Sequence, residues 1–404
     1  MDSDRLETPL VETLRATRQA RHKPQHLSRF SGGVAEVGEY FIKQRLARAE
    51  QFIRQQHPKT ALALLQATGA PPAGWPRRWH SRWFLLVGWA LIQHQQPAMA
   101  SDVLQHGLEL FHALQLQPKT TELPLPELGE WLRYFLGVSY WQCNQPSKAL
   151  GCYRCGLAAI IAGTIHDAEL IMLLYQGLGQ TYLSIGADAE ALAYLTLARE
   201  HGQDVNNPYA EGMTELSLGL AYTQQRNLFQ ARRALTQALR LFERLEIPLL
   251  VLRVMVRLGQ VLLELQHEEE AESMLRQALG GAERSGDPQT RGEALEGLAR
   301  LHLARGKSEQ AIYLIKNGLA ISSKSWGKQI AGQLYLTLAH AYGAQHDLGA
   351  AEEALLAAIG LLHSTPSLRL IAHAHECYGQ FLADQGRFQE AYEQLEVTLR
   401  KNDL

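Results

Sequence analysis

The chain has 404 residues, 46% hydrophobic and 20% charged, with 39 Lys plus Arg against 41 Asp plus Glu and a formal net charge of -2. Charge this balanced excludes a global field that would gather nucleic acid or an acidic membrane surface, and the composition is that of a soluble globular protein. The polar start, Met1 to Glu7, holds no apolar signal core. The longest apolar run, Phe84 to Ile92, is too short to cross a bilayer, and four scattered cysteines fit a reducing cytoplasm better than a disulfide framework.

The first 34 residues form a basic arm or capping helix with Arg15, Arg18, Arg21, His22, Lys23, His26 and Arg29. Leu14-Arg15-x-x-Arg18 followed by Gln25, Leu27 and Ser28 resembles the opening of a lambda-repressor-type helix-turn-helix. Its Gln-to-Leu spacing is one residue short and no recognition helix follows. Residues 35–113 read as two divergent helix pairs, with Tyr40 to Ile53 as the first helix, Ala61 and Leu65 in one pair, and Gly88, Ala100 and Leu104 in the next. The stretch Gly69 to Pro76 separates them. Residues 114–128 carry Pro118, Pro124 and Pro126, which forbid a continuous helix and read as a long loop.

From 129 to 404 the sequence keeps a fixed beat. Gly137, Gly179, Gly219, Gly259, Ala299, Ala339 and Gly379 stand 42, 40, 40, 40, 40 and 40 residues apart, and an alanine follows each by twelve residues: Ala149, Ala191, Ala231, Ala271, Ala311, Ala351 and Ala391. Such periodicity means one supersecondary unit copied seven times. Within a unit, Met213, Leu216, Leu218, Leu220 and Tyr222 make helix A, Gln224 to Asn227 is a turn, and Phe229, Ala231, Ala234, Leu235, Ala238 and Leu241 make helix B. Gly219 on helix A and Ala231 on helix B allow close approach, with Tyr222 and Leu235 filling the space around them. Asn207-Pro208 and Asp287-Pro288 read as an N-cap followed by proline at the first helical position.

Leu178-Gly179-x-x-Tyr182 with Ala191, Leu195 and Ala198, and Leu218-Gly219-x-x-Tyr222 with Ala231, Leu235 and Ala238, resemble the tetratricopeptide repeat (TPR). The standard repeat is 34 residues. The longer spacing here is similar to bacterial regulatory TPR domains, including Rap-type peptide receptors. Departures are His302 and Leu262 in place of the tyrosine, and Gly156, Gly318 and Thr398 in place of the last alanine. The resemblance implies an all-α, right-handed superhelical solenoid of antiparallel helix pairs, with the A helices on the concave side.

It also implies which positions line that concave face. Carried over, they give Trp131, Tyr134, Gln176, Gln180, Leu216, Arg253, Gln260, Glu296, Arg300, His340 and Gln380 as candidate ligand-binding residues. A primary amide both donates and accepts, as a peptide backbone does, so a row of glutamines suits an extended peptide. The same glutamines also serve an open solvated surface. The expected function is a non-enzymatic cytoplasmic regulatory or signalling module that binds a peptide or partner protein. The alternatives are a peptide-sensing transcription regulator using the N-terminal segment on DNA, a Rap-like modulator of a response regulator, and a homodimer formed through Trp75, Trp79, Trp83 and Trp89.

No cofactor is expected. There is no Gly-x-x-x-x-Gly-Lys-Ser/Thr phosphate loop and no His-Glu-x-x-His. Cys152 and Cys155 have thioredoxin-like spacing but fall inside a helix B, where they read as buried helical cysteines. His373 and Cys377 share a helix face, too few to hold a metal. Glu268, Glu269 and Glu270 sit at a helix start, where anions suit the helix dipole.

Overall fold

A computed structural model describes residues 32–69, 77–115, 126–322, 327–365 and 368–402. The helix-turn-helix reading of Leu14 to Ser28, Trp75, and the centre of the proline loop lie outside the described residues.

Among the described residues the regular elements are eighteen α-helices. The pairs upstream of the proline loop are α1 (Gly32–Arg54) with α2 (Pro58–Thr68), and α3 (Arg77–Gln93) with α4 (Pro97–Gln115). Then come α5 (Pro126–Gln142) with α6 (Pro146–Ile161), α7 (Ala168–Ile185) with α8 (Asp188–Gly202), and α9 (Pro208–Gln224) with α10 (Leu228–Arg244). Next are α11 (Pro248–Glu264) with α12 (Glu268–Ser285), and α13 (Pro288–Ala304) with α14 (Ser308–Ser322). The last are α15 (Lys328–Ala344) with α16 (Leu348–Leu362), and α17 (Leu368–Asp384) with α18 (Phe388–Asn402). Packing divides the chain into two units, residues 1–181 and 182–404, with the boundary inside α7; the first holds the pairs of α1 to α6 and the second those of α9 to α18.

The beat has a direct steric cause. A Cβ placed on Gly219 would lie 2.6 Å from Leu235 Cδ2, and one on Gly259 would lie 2.7 Å from Leu275 Cγ. Gly137 meets Tyr153 Cε1 in the same way at 2.6 Å. In these repeats helix B therefore drives one large side chain onto the bare backbone of its helix A. The partner alanines Ala149, Ala191, Ala231, Ala271, Ala311 and Ala351 are wholly buried.

The turns repeat as closely as the packing. The turn joining each odd helix to the next even helix holds one left-handed residue. In the regular repeats after the first these are Gly186, Arg226, Gln266, Gly306, His346 and Gly386, again 40 residues apart. Gln56, Gln95 and Asn144 take the same conformation in the three turns upstream, so the divergent pairs close by the same hairpin. A left-handed residue after the helix lets the chain reverse while its amide still bonds back to the last turn.

The helix starts hold one correction. Asn207 caps α9 as the sequence suggests, its Oδ1 accepting from the Ala210 amide at 3.0 Å. Asp287 makes no side-chain bond to the backbone of α13; its Oδ2 accepts from the Thr290 hydroxyl instead. Among the described residues, the tryptophans of the divergent region pack against the core rather than forming an exposed patch. Trp79 and Trp83 are buried, and Trp89 stacks on Phe135 at 5.0 Å.

Candidate functional site

Successive odd-numbered helices pack on one another: α9 on α11, α11 on α13, α13 on α15 and α15 on α17 in the second unit, and α1 on α3 and α3 on α5 in the first. No pair of successive even-numbered helices packs comparably among the described residues. The odd helices therefore form the inner row of each unit, where curvature brings neighbours together.

In the second unit this row carries a polar ladder. Arg253, Arg257, Gln260 and Glu264 recur along α11 at intervals of four, three and four, so they share one face. Gln289, Glu293, Glu296 and Arg300 repeat the same intervals on α13. Arg257 Nη2 lies 3.0 Å from Glu293 Oε1, and its Nη1 donates to Gln260 Oε1 at 3.1 Å. Gln260 Nε2 donates to Glu296 Oε2 at 3.4 Å. Thr337 on α15 donates to Glu296 Oε1 at 3.1 Å. Arg300 stands 3.9 Å from both Glu296 and Glu264. Glu296 is thus the hub of a network over α11, α13 and α15.

Two groups on this face are left with chemistry to spare. Arg253 Nε is buried and has no hydrogen-bond partner in the structure. The pair that holds Arg257 to Glu293 runs from one repeat to a position 36 residues on. By that offset Arg253 corresponds to Gln289 on α13, whose Nε2 donates to Glu293 Oε1 at 3.4 Å instead. A buried guanidinium nitrogen without a partner is costly, so it marks a place where an acceptor is wanted. His340, on α15, keeps an exposed edge. Its pKa is lowered first by the burial of the rest of the ring, then by His373 and Arg300, so the ring is neutral at pH 7 and can both donate and accept.

The other candidates lie elsewhere. Leu216 packs partly buried against the apolar core around Phe242 and Leu258. Gln380 is exposed and donates to Asp384 on its own helix at 2.7 Å. In the first unit, Tyr134 and Gln176 are buried and Gln180 is half-buried. Trp131 donates its indole N–H to Asp167 at 3.1 Å and stacks on Phe135 at 5.7 Å. Arg257 and Thr337, two positions before the small residue, are participants that the carried-over pattern skipped. Their signal was the four-residue step from Arg253 and Gln333.

The cysteines need one correction. Cys155 is exposed and the other three are half-buried, so none is a fully buried core thiol. Burial, with Cys155 beside it, still pushes the Cys152 thiol up to about 11, which keeps it protonated and unreactive. His373 ring nitrogens lie 3.7 and 3.9 Å from Cys377 Sγ, but among the described residues no group of three His, Cys, Asp or Glu could hold a metal ion. None of the described helices is long and apolar enough to cross a membrane.

Residues 211–284 match the family model described as tetratricopeptide repeat. No curated protein sequence matches the chain. Solved structures share the fold at low identity. A Rap protein complexed with competence and sporulation factor is 14% identical with a TM-score of 0.66, over 90% of this chain and 98% of that one. The apo form of the quorum sensor NprR from B. thuringiensis is 14% identical with a TM-score of 0.65, over 90% and 99%. Aspartyl phosphate phosphatase F from Bacillus subtilis is 14% identical with a TM-score of 0.56, over 94% and 97%.

Proposed function

We propose that this protein of tetratricopeptide repeats is a regulatory binding protein, and that the inner row of its second unit holds an extended peptide or partner segment. The observation that carries the reading is the ladder itself: donors and acceptors face one surface on three successive helices, and Arg253 Nε lacks an acceptor. Ligand carbonyls would take Arg253, the remaining N–H of Gln260 and the Arg300 guanidinium; ligand amides would take His340. The solved relatives in fold include NprR in complex with its cognate peptide NprX, which supports a peptide as the class of ligand. Binding rather than catalysis fits a site whose one carboxylate hub is occupied by structural hydrogen bonds. The cysteines, all free, fit a reducing cytoplasm.

A pool of random heptapeptides, incubated with the full chain and recovered by size exclusion, tests the reading. A retained subset is expected, and it should be lost in Arg253→Ala with Gln260→Ala while circular dichroism stays unchanged. Retention of the same peptides by the double variant would reject the inner row as the site.

A further inference from the structure

The second unit has a second concavity on its outer side. A cleft of about 1360 Å³ opens between α8 and α10, with α9 as its floor, and none of the inner-row ladder lines it. Gln230, Arg233, Gln237 and Arg240 line it from α10. Their spacing of three, four and three residues puts them on one helix face, a stripe about 15 Å long. Arg199 faces them from α8. Arg232, next in the chain to Arg233, is held by Glu270 at 3.0 Å, whereas Arg199, Arg233 and Arg240 enter no ion pair among the described residues. On the floor, Glu215 is only 7% exposed. Burial raises its pKa, Arg199 lowers it, Glu211 raises it and Arg233 lowers it. The two arginines thus act on one carboxylate from opposite walls without closing on it, and the space between them is open.

We infer that this outer cleft docks an extended acidic segment of a partner protein, with its carboxylates between the arginines of α8 and α10 and its backbone along Gln230 and Gln237. A stripe of that length matches about four to five residues of extended chain. Alternating amide and guanidinium groups match a peptide that offers backbone and carboxylate in turn. A nucleic acid fits less well, because Glu200, Glu211 and Glu215 line the same cleft and would repel an unbroken row of phosphates. Phe229, 78% exposed at the cleft edge, offers an apolar contact to a flanking residue.

The probe is a fluorescein-labelled, amidated hexapeptide of alternating serine and glutamate, compared with its serine–glutamine counterpart and with octathymidylate, by anisotropy on the full chain at low salt. The acidic peptide is expected to bind about tenfold more tightly than the amide form. That advantage should vanish in the double variant Arg199→Gln, Arg233→Gln. Arg244→Gln, exposed on the same helix but outside the cleft, and Gln260→Ala on the inner row should leave it intact. If the double variant fails to fold by circular dichroism, Arg240→Gln alone, at an exposed position, should weaken the acidic peptide about threefold. Equal binding of the two hexapeptides, or an equal loss with Arg244→Gln, would overturn the inference. Tighter binding of octathymidylate with the same dependence on Arg199 and Arg233 would also overturn it, in favour of a nucleic-acid surface.

Discussion

Arg369 Nη1 lies 3.1 and 3.2 Å from the two carboxylate oxygens of Asp188, across 181 residues of sequence. Asp188 opens α8 and Arg369 stands in the first turn of α17, so the pair joins the first and last repeats of the second unit. Gln225 Nε2 also donates to the Asp188 carbonyl at 3.3 Å. Because each repeat otherwise touches only its neighbours, small rotations add along the stack, and a contact between its ends reads out their sum. Both side chains are partly solvated, so the pair contributes at most about 1 kcal/mol. Arg369→Gln should therefore shift Tm by no more than about 4 °C. It should instead broaden the distance distribution between spin labels on Glu190 and His373, and high salt should broaden the wild type in the same way. An unchanged distribution in both cases would show that the pair does not restrain the ends.

Gly219 and Leu235 form the knob and hole on which the repeat depends. Gly219→Val should cost about 2–3 kcal/mol by overpacking against Leu235, and Leu235→Ala about 2–5 kcal/mol by leaving a cavity. The turns should respond in the opposite direction. Gln266 and His346 adopt left-handed backbone with φ of 62° and 61°, where a Cβ is strained by about 1–2 kcal/mol. Gln266→Gly should raise stability in urea by about 0.5–1 kcal/mol, less than the full strain because glycine adds freedom to the unfolded chain. Gly306→Ala, at φ 71° in the equivalent turn, should lower it.

The fold was legible because its causes are local and repeated. Gly219 under Leu235 and Gly259 under Leu275 are one steric event copied every 40 residues, and periodicity survives when individual letters change. The inner row was legible in part. Arg253, Gln260, Glu296, Arg300 and His340 were named by carrying over the groove positions that the tetratricopeptide resemblance implies, and all stand on the α11–α13–α15 row. Spacing does not show which groups are already engaged, so it could not reveal that both Glu296 oxygens accept bonds while Arg253 Nε does not. Tyr134 and Gln176 occupy equivalent positions yet are buried, because surrounding side chains, not register, decide exposure. Arg369 with Asp188 had no local signature at all, and the outer cleft was missed because the TPR pattern directs attention to the A helices.

His340 and His302 predict a pH dependence. Burial lowers both pKa values, with His373 and Arg300 adding to the effect at His340 and Lys307, Arg276 and Arg305 at His302, where Glu272 opposes it. The unfolded chain titrates near the ordinary value of about 6.5. Between that value and the lower folded values the unfolded state binds more protons, so stability rises with pH. Their contribution is present above about pH 6.5 and is lost as pH falls through the folded values. Urea midpoints measured from neutral to mildly acidic pH should therefore fall less steeply in His340→Gln with His302→Gln than in the wild type. Equal slopes would show that neither ring is held neutral by the fold.

Arg253 should show the signature of a residue kept for binding rather than for the fold. Its buried Nε has no acceptor, so replacing it with a side chain of similar length and no charge removes a desolvation cost and breaks no hydrogen bond. Arg253→Met is expected to leave stability unchanged or raise it by about 1 kcal/mol, while weakening retention of the selected heptapeptides. Glu296→Ala is the contrast. It removes the acceptor of Gln260 Nε2 and leaves the Thr337 hydroxyl only the Gln333 carbonyl, and it should cost about 1–3 kcal/mol. Paired urea denaturation and peptide titration separate the two behaviours. A loss of stability in Arg253→Met comparable to that in Glu296→Ala would mean that the guanidinium is a structural member of the ladder and not its open end.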